Sequence, residues 1–184
     1  MSQSSPARAR FGLLLDGLSL LVLCGAIGLF FTTRRDSARP VPTLPAAPVR
    51  DSSFSALGVS DEQGQSSLLR PSPGGRGLLL LVFKSDCPAC GIQKAEWVRL
   101  ARRARERAVE VVALTLEPLS PPVREYFGGA GIPVRRIADP GPGLSILQTT
   151  VVPATILITD QGRIAFHAIG LLDGARTSLL ETLL

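Results

Sequence analysis

Two thiols three positions apart, in Cys87-Pro88-Ala89-Cys90, are the residues of this chain best equipped for chemistry. The apolar run Leu78-Leu79-Leu80-Leu81-Val82-Phe83 precedes them and a helix-period stretch, Lys94 to Ala108, follows. A strand, a Cys-x-x-Cys pair and a helix in that order make a redox switch. The first cysteine then sits at the helix mouth, where unpaired backbone N–H groups and the helix dipole stabilise a thiolate. Pro88 falls near the first helical position, where a missing N–H costs nothing and the fixed φ suits the helix. Cys90 lies one turn on, on the same face and within disulfide reach of Cys87.

Cysteine pairs also bind metals, and the inventory limits that reading. A structural zinc site needs four ligands, usually with a second Cys pair or a His pair. This chain has three cysteines and one histidine. Cys24 lies in a separate apolar segment and His167 stands alone. Cu(I) handling by Cys87, Cys90 and His167 remains an alternative, because soft thiolates suit that ion. Otherwise the pair implies no cofactor beyond its own redox-active disulfide.

The switch is positioned by an alternation of strands and helices. Gly77 to Phe83 and Glu110 to Leu116 are continuous apolar runs, as expected of strands buried on both faces. Between them, Trp97, Ala101, Ala104 and Ala108 form one helical stripe, with Arg99, Arg102, Arg103 and Glu106 opposite as a solvated face. Trp97 reads as core packing. Helices are expected over Ser120 to Phe127 and Gly143 to Thr149, with a short strand over Val134 to Ala138. Val152 to Ile158, a turn at Gln161-Gly162 and an alternating Arg163 to Ile169 read as a hairpin. Asp173 caps a closing helix to Leu184. Phe54 to Val59 and Gln65 to Leu69 flank turn residues Asp61 to Gly64 as an earlier pair of strands. The sum is an α/β sandwich with a sheet partly parallel and partly antiparallel.

Ahead of this domain (53–184) lie an N-terminal tail (1–10), a membrane-anchor segment (11–33) and a linker (34–52). Phe11 to Phe31 is almost wholly apolar, long enough to span a hydrocarbon core of about 30 Å. No small-residue cleavage site follows it, so an uncleaved signal anchor is expected. Pro40, Pro42, Pro45 and Pro48 make the linker an extended tether. Arginines flank the span on both sides, and the count favours a cytoplasmic C-terminal domain. Disulfides, however, persist outside the reducing cytoplasm, which favours the extracytoplasmic face. From Ser52 onward 14 Lys and Arg face 12 Asp and Glu, a net +2 without a basic run, so nucleic acid is not an expected partner.

With Cys87-Pro88-Ala89-Cys90 and Pro153-Ala154-Thr155-Ile156-Leu157-Ile158 leading to Asp160-Gln161-Gly162-Arg163, the region from Phe54 to Leu184 resembles the thioredoxin superfamily. Within it the chain is most similar to membrane-anchored TlpA/ResA-type thiol-disulfide oxidoreductases. The resemblance implies a thioredoxin-like three-layer sandwich, a mixed sheet with helices on both faces and an extra N-terminal hairpin. It implies that Pro153 is cis and faces the cysteine pair, and that Val152 offers backbone groups to a docked partner peptide. It also implies exchange with partner-protein thiols or disulfides, a membrane thiol donor, and work as a reductant, as in cytochrome c or metalloprotein maturation. The Cys-Pro-x-Cys form is shared with methylamine-dehydrogenase maturation factors, a second implication of the same chemistry.

Three positions depart from the pattern. Asp86 replaces the aromatic residue common before the first cysteine, and its charge should oppose ionisation of Cys87. Leu81 occupies the place of thioredoxin's buried acid. Gln93 stands where ResA-type relatives carry glutamate, leaving water or Glu96 to move the proton. Together with Pro88 and Ala89, Asp86 and Gln93 are the residues expected to tune the pair.

Overall fold

The computed structural model describes residues 53–72 and 74–184. The expected anchor, linker and Cys24 lie outside these residues. Among the described residues, no helix is long and apolar enough to cross a membrane. Seven strands form one sheet: β1 (Leu57–Ser60), β2 (Ser66–Leu69), β3 (Gly77–Val82), β4 (Glu110–Thr115), β5 (Val134–Ile137), β6 (Ala154–Thr159) and β7 (Ile164–Ile169). Four helices, α1 (Pro88–Glu106), α2 (Pro121–Arg124), α3 (Pro140–Leu147) and α4 (Gly174–Leu183), complete the domain.

The strand order is β2-β1-β5-β4-β3-β6-β7. β3, β4 and β5 run parallel, whereas β6 and β7 run antiparallel to their neighbours. The β1–β2 hairpin extends the sheet along β5. Its turn forms because the Asp61 carboxylate accepts the N–H groups of Gln63 and Gln65, at 3.0 and 2.9 Å.

All six residues of β3 are buried, and the strand alternates between two cores. Leu79, Leu81 and Phe83 join α1, α2 and α4 on one face, with Cys90, Trp97, Val123 and Leu180. Leu78, Leu80 and Val82 face the opposite core, which includes Leu147 of α3 and Leu57 of the hairpin. Four consecutive leucines followed by valine are what a central strand covered on both faces requires.

Helix α1 departs from its predicted course at the end. Trp97, Ala101 and Ala104 are buried together with Leu100, but Ala108 is exposed and left-handed, at φ 59°. The helix closes at Arg107, so Ala108 belongs to the turn into β4 and not to the stripe. The arginine face is also more occupied than expected. Arg99 and Arg103 both reach the Glu181 carboxylate, and Arg107 donates to the Glu181 carbonyl at 2.7 Å. These contacts fasten α4 across α1. Helices α2 and α3 shift as well: α2 spans only four residues, and α3 starts three residues early because Pro140 suits a first turn.

The indole N–H of Trp97 donates to Thr155 Oγ1 at 2.8 Å, a buried bond across 58 positions that ties α1 to β6. Thr155→Val keeps the shape but orphans the indole donor. It should cost about 1–3 kcal/mol, read as a lower urea midpoint at unchanged m-value. An unchanged midpoint would show that the indole finds another partner.

Candidate active site

The topology brings the chemistry to one end of the sheet. Val82 at the end of β3 pairs with Ala154 at the start of β6, so the chain leaving toward Cys87 and the chain arriving from Pro153 meet there. The parallel neighbour β4 ends at the same edge, with Val82 opposite Leu114. Ala154 also pairs with Ile169, which carries the end of β7 to this edge.

Cys87 is the N-cap of α1, with extended backbone at φ −83° and ψ 115° and Pro88 just inside the helix. A tight turn delivers it there, the Cys87 N–H donating to the Lys84 carbonyl at 3.2 Å. Its Sγ accepts the N–H of Cys90 at 3.4 Å. The thiol therefore stands in the place of the oxygen of an ordinary capping residue. Cys87 is half-buried and Cys90 fully buried, both as free thiols. Burial, together with a hydrogen bond to Cys87, pushes the Cys90 thiol up from an ordinary 9.0 to about 12. One sulfur is accessible at the helix mouth, and the other stays protonated beneath it.

The remaining expected residues fall around this pair. The Val152–Pro153 bond is cis, and Val152 packs on the same core as both cysteines. The Pro153 carbonyl accepts the Gly170 N–H at 2.7 Å, joining this loop to the end of β7. Ala89 is half-buried and Pro88 exposed. Asp86 does not act as a lone charge: it pairs with Lys84 at 2.9 Å, and its side chain is 67% exposed. Screening by water and neutralisation by Lys84 both weaken its expected opposition to the thiolate. Gln93 is buried, its Oε1 accepting the Leu172 N–H at 2.8 Å, while Nε2 has no partner. Glu96, expected to share proton transfer with water, is engaged by an arginine. It binds Arg99 at 2.7 Å, and hydrogen bonding from that guanidinium holds its carboxyl below the usual range.

The copper reading fails on geometry. His167 pairs across the sheet with Ile156, which belongs to the α3-side core, whereas Cys90 lies in the core on the other face. The sheet stands between the imidazole and the thiols. Burial lowers the His167 pKa, and the ring faces the Leu147 backbone. Among the described residues, no three His, Cys, Asp or Glu side chains gather as a metal site.

Several residues at this edge escaped the sequence reading. Glu117, just past β4, accepts both the N–H and the hydroxyl of Ser85, at 2.6 and 2.9 Å. Tyr126 stacks on Phe83 with centroids 4.5 Å apart, and the Lys94 ammonium lies 5.0 Å from its ring. Burial and the nearby Cys90 and Cys87 push its hydroxyl up from 10.0 to about 12. A cavity of about 200 Å3 runs alongside, lined by Phe83, Lys84, Leu116, Glu117, Val151 and Val152. A signal for Glu117 existed: parallel strands end together, so a charge directly after β4 meets the loop after β3.

Cys90 and Tyr126 give the fold a pH dependence. Below about pH 9 both groups keep their protons, folded or unfolded. Above it the unfolded chain releases protons that the folded chain retains, so stability must fall as pH rises toward about 12. Urea midpoints measured across that window should descend, less steeply for Cys90→Ala. A flat profile would contradict the burial of these groups.

The sequence matches no protein-family model and no curated protein. Solved structures do match in fold. A thiol:disulfide interchange protein DsbE of Chlorobium tepidum, described as putative, superposes with a TM-score of 0.58 at 17% identity, over 74% of this chain and 96% of its own. StoA of Bacillus subtilis gives 0.52 at 17% identity, over 74% and 98%. A thioredoxin of Neisseria meningitidis, also described as putative, gives 0.54 at 23% identity, over 72% and 91%. The described domain has the thioredoxin-like fold.

Proposed function

We propose that this thioredoxin-like domain is a thiol-disulfide oxidoreductase that works through Cys87 and Cys90. The observation that carries the reading is the asymmetry of the pair. One sulfur caps a helix and is accessible, and the other is buried with its proton held. The Cys87 thiolate attacks a partner disulfide. A Cys87–partner S–S bond forms, and the displaced partner sulfur leaves as a thiolate and takes up a proton. Cys90 then loses its proton and attacks Cys87 Sγ. The mixed disulfide breaks, the second partner sulfur leaves, and Cys87–Cys90 ends oxidised as the partner gains two electrons.

The loop through Val152 and the cis Pro153, at the start of β6, supports docking of a partner segment beside Cys87. The exposed Leu116 and Val151 beside it offer apolar contact to the partner segment. We read the direction as reductive. Pairing of Lys84 with Asp86 weakens the one cation on the Cys87 turn as a support for the thiolate, which favours a reducing pair. The resemblance to TlpA/ResA-type proteins supports the same direction, with cytochrome c or metalloprotein thiols as clients and a membrane thiol donor restoring the dithiol. The apolar segment from Phe11 supports a membrane tether, with the domain on the extracytoplasmic face.

A trap tests the activity. With Cys90→Ala the second step cannot occur, so partners should accumulate as mixed disulfides on Cys87, identifiable by mass spectrometry after thiol quenching. No reducible adduct, in cells where wild-type protein is abundant, would defeat the proposal.

A further inference from the structure

We propose that Glu117 is a positioning residue for Cys87, clamping the turn that presents the thiol to the helix mouth. The inference rests on the thiol-exchange reading and deepens it. Ser85 lies two residues before Cys87, inside the turn closed by the Cys87 N–H to Lys84 carbonyl bond. Both hydrogen-bonding groups of Ser85 that can donate are taken by one carboxylate. Its N–H reaches Glu117 Oε2 at 2.6 Å and its hydroxyl reaches Oε1 at 2.9 Å. Glu117 is fixed in turn by Thr115, a fully buried residue of β4. The Glu117 N–H donates to Thr115 Oγ1 at 3.1 Å, and that hydroxyl lies 3.4 Å from Oε2. A chain of bonds thus runs from the buried end of β4, through the carboxylate, to the turn carrying the nucleophile.

Chemistry explains why an acid stands there. The turn leaves an N–H pointing away from its own hydrogen bonds, and a half-buried donor without a partner is costly. A carboxylate accepts from several donors at once, and charge-assisted bonds are shorter and stronger than neutral ones. Lys84, the cation on the same turn, pairs with Asp86 at 2.9 Å and leaves the carboxylate to Ser85. The Sγ of Cys87 meets the Cys90 N–H at 3.4 Å only while the turn holds its shape, and small displacements at a reacting atom are expensive.

The full chain in detergent, as wild type, Glu117→Ala, Glu117→Gln and Ser85→Ala, tests this. Each is assayed for reduction of a peptide disulfide, for the pH midpoint of Cys87 alkylation, and for the urea midpoint. Glu117→Ala should slow disulfide reduction on the order of tenfold and move the alkylation midpoint to higher pH, because the helix mouth is engaged less well. Glu117→Gln keeps an oxygen that can accept from Ser85 and should recover much of the rate. Ser85→Ala keeps the N–H contact and should fall between, and adding it to Glu117→Ala should cost little more. Two results would overturn the inference. If Ala and Gln both lower the alkylation midpoint, Glu117 acts only as a nearby negative charge. If only the urea midpoint moves, its role is structural. Should the wild type itself reduce no disulfide, the thiol-exchange reading fails instead, independently of Glu117.

Discussion

Cys87→Ser should abolish disulfide reduction, lowering the rate by about a thousandfold or more, while Cys90→Ser still completes the first attack. A serine hydroxyl is not ionised at neutral pH and is a weak nucleophile without activation. The surroundings of the residue are otherwise kept, since a hydroxyl caps a helix as well as a thiol does. The domain should therefore fold normally and lose only its chemistry. Alkylation gives an independent check. Iodoacetamide should label the half-exposed Cys87 well before Cys90, which is fully buried and held protonated. Faster labelling of Cys90 would reverse the assigned roles.

The largest stability effect is expected at Gly77, where β3 begins. Its φ is +140°, and a Cβ there would lie 2.3 Å from the Ile158 carbonyl oxygen of β6. Neither problem can be relieved cheaply. The clashing atom is backbone, and Gly77 pairs with Thr159 in the central β3–β6 ladder that sets the site's register. Gly77→Ala should cost at least about 3 kcal/mol, a large part of the about 5–15 kcal/mol that holds a typical domain together. Gly64 is the comparison: its φ is also positive, at +77°, but a Cβ would meet nothing within 4 Å. Gly64→Ala should cost only about 1–2 kcal/mol. Equal thermal midpoints for the two variants would show that the close approach at Gly77 relaxes.

What was legible in the sequence is local. The leucine-rich β3, the alternation of β7 and the proline after Cys87 each follow from a short-range rule of period, burial or capping. The N-cap position of Cys87 belongs to this class, because a helix mouth is made by residues adjacent in the chain. Helix ends were read less well. Ala108 continues the apolar period of α1, but the helix closes at Arg107 in order to turn into β4.

Asp86 and Lys84 mark the boundary between the two kinds of information. Both charges were visible, yet only the turn at Lys84–Cys87 shows that they neutralise one another. His167 crosses that boundary. As a residue type it suits a metal, and the strand register puts it on the far side of the sheet from Cys90. The chain by itself determined where the two thiols sit, since two cysteines three apart at a helix start are fixed by covalent spacing and local capping. Only the tertiary structure decided what surrounds them. Glu117 meets Ser85 across 32 positions, and Trp97 meets Thr155 across 58, because parallel and antiparallel strands end at a common edge. Strand order arises from the burial of both sheet faces at once, a cooperative property that no short window of sequence contains.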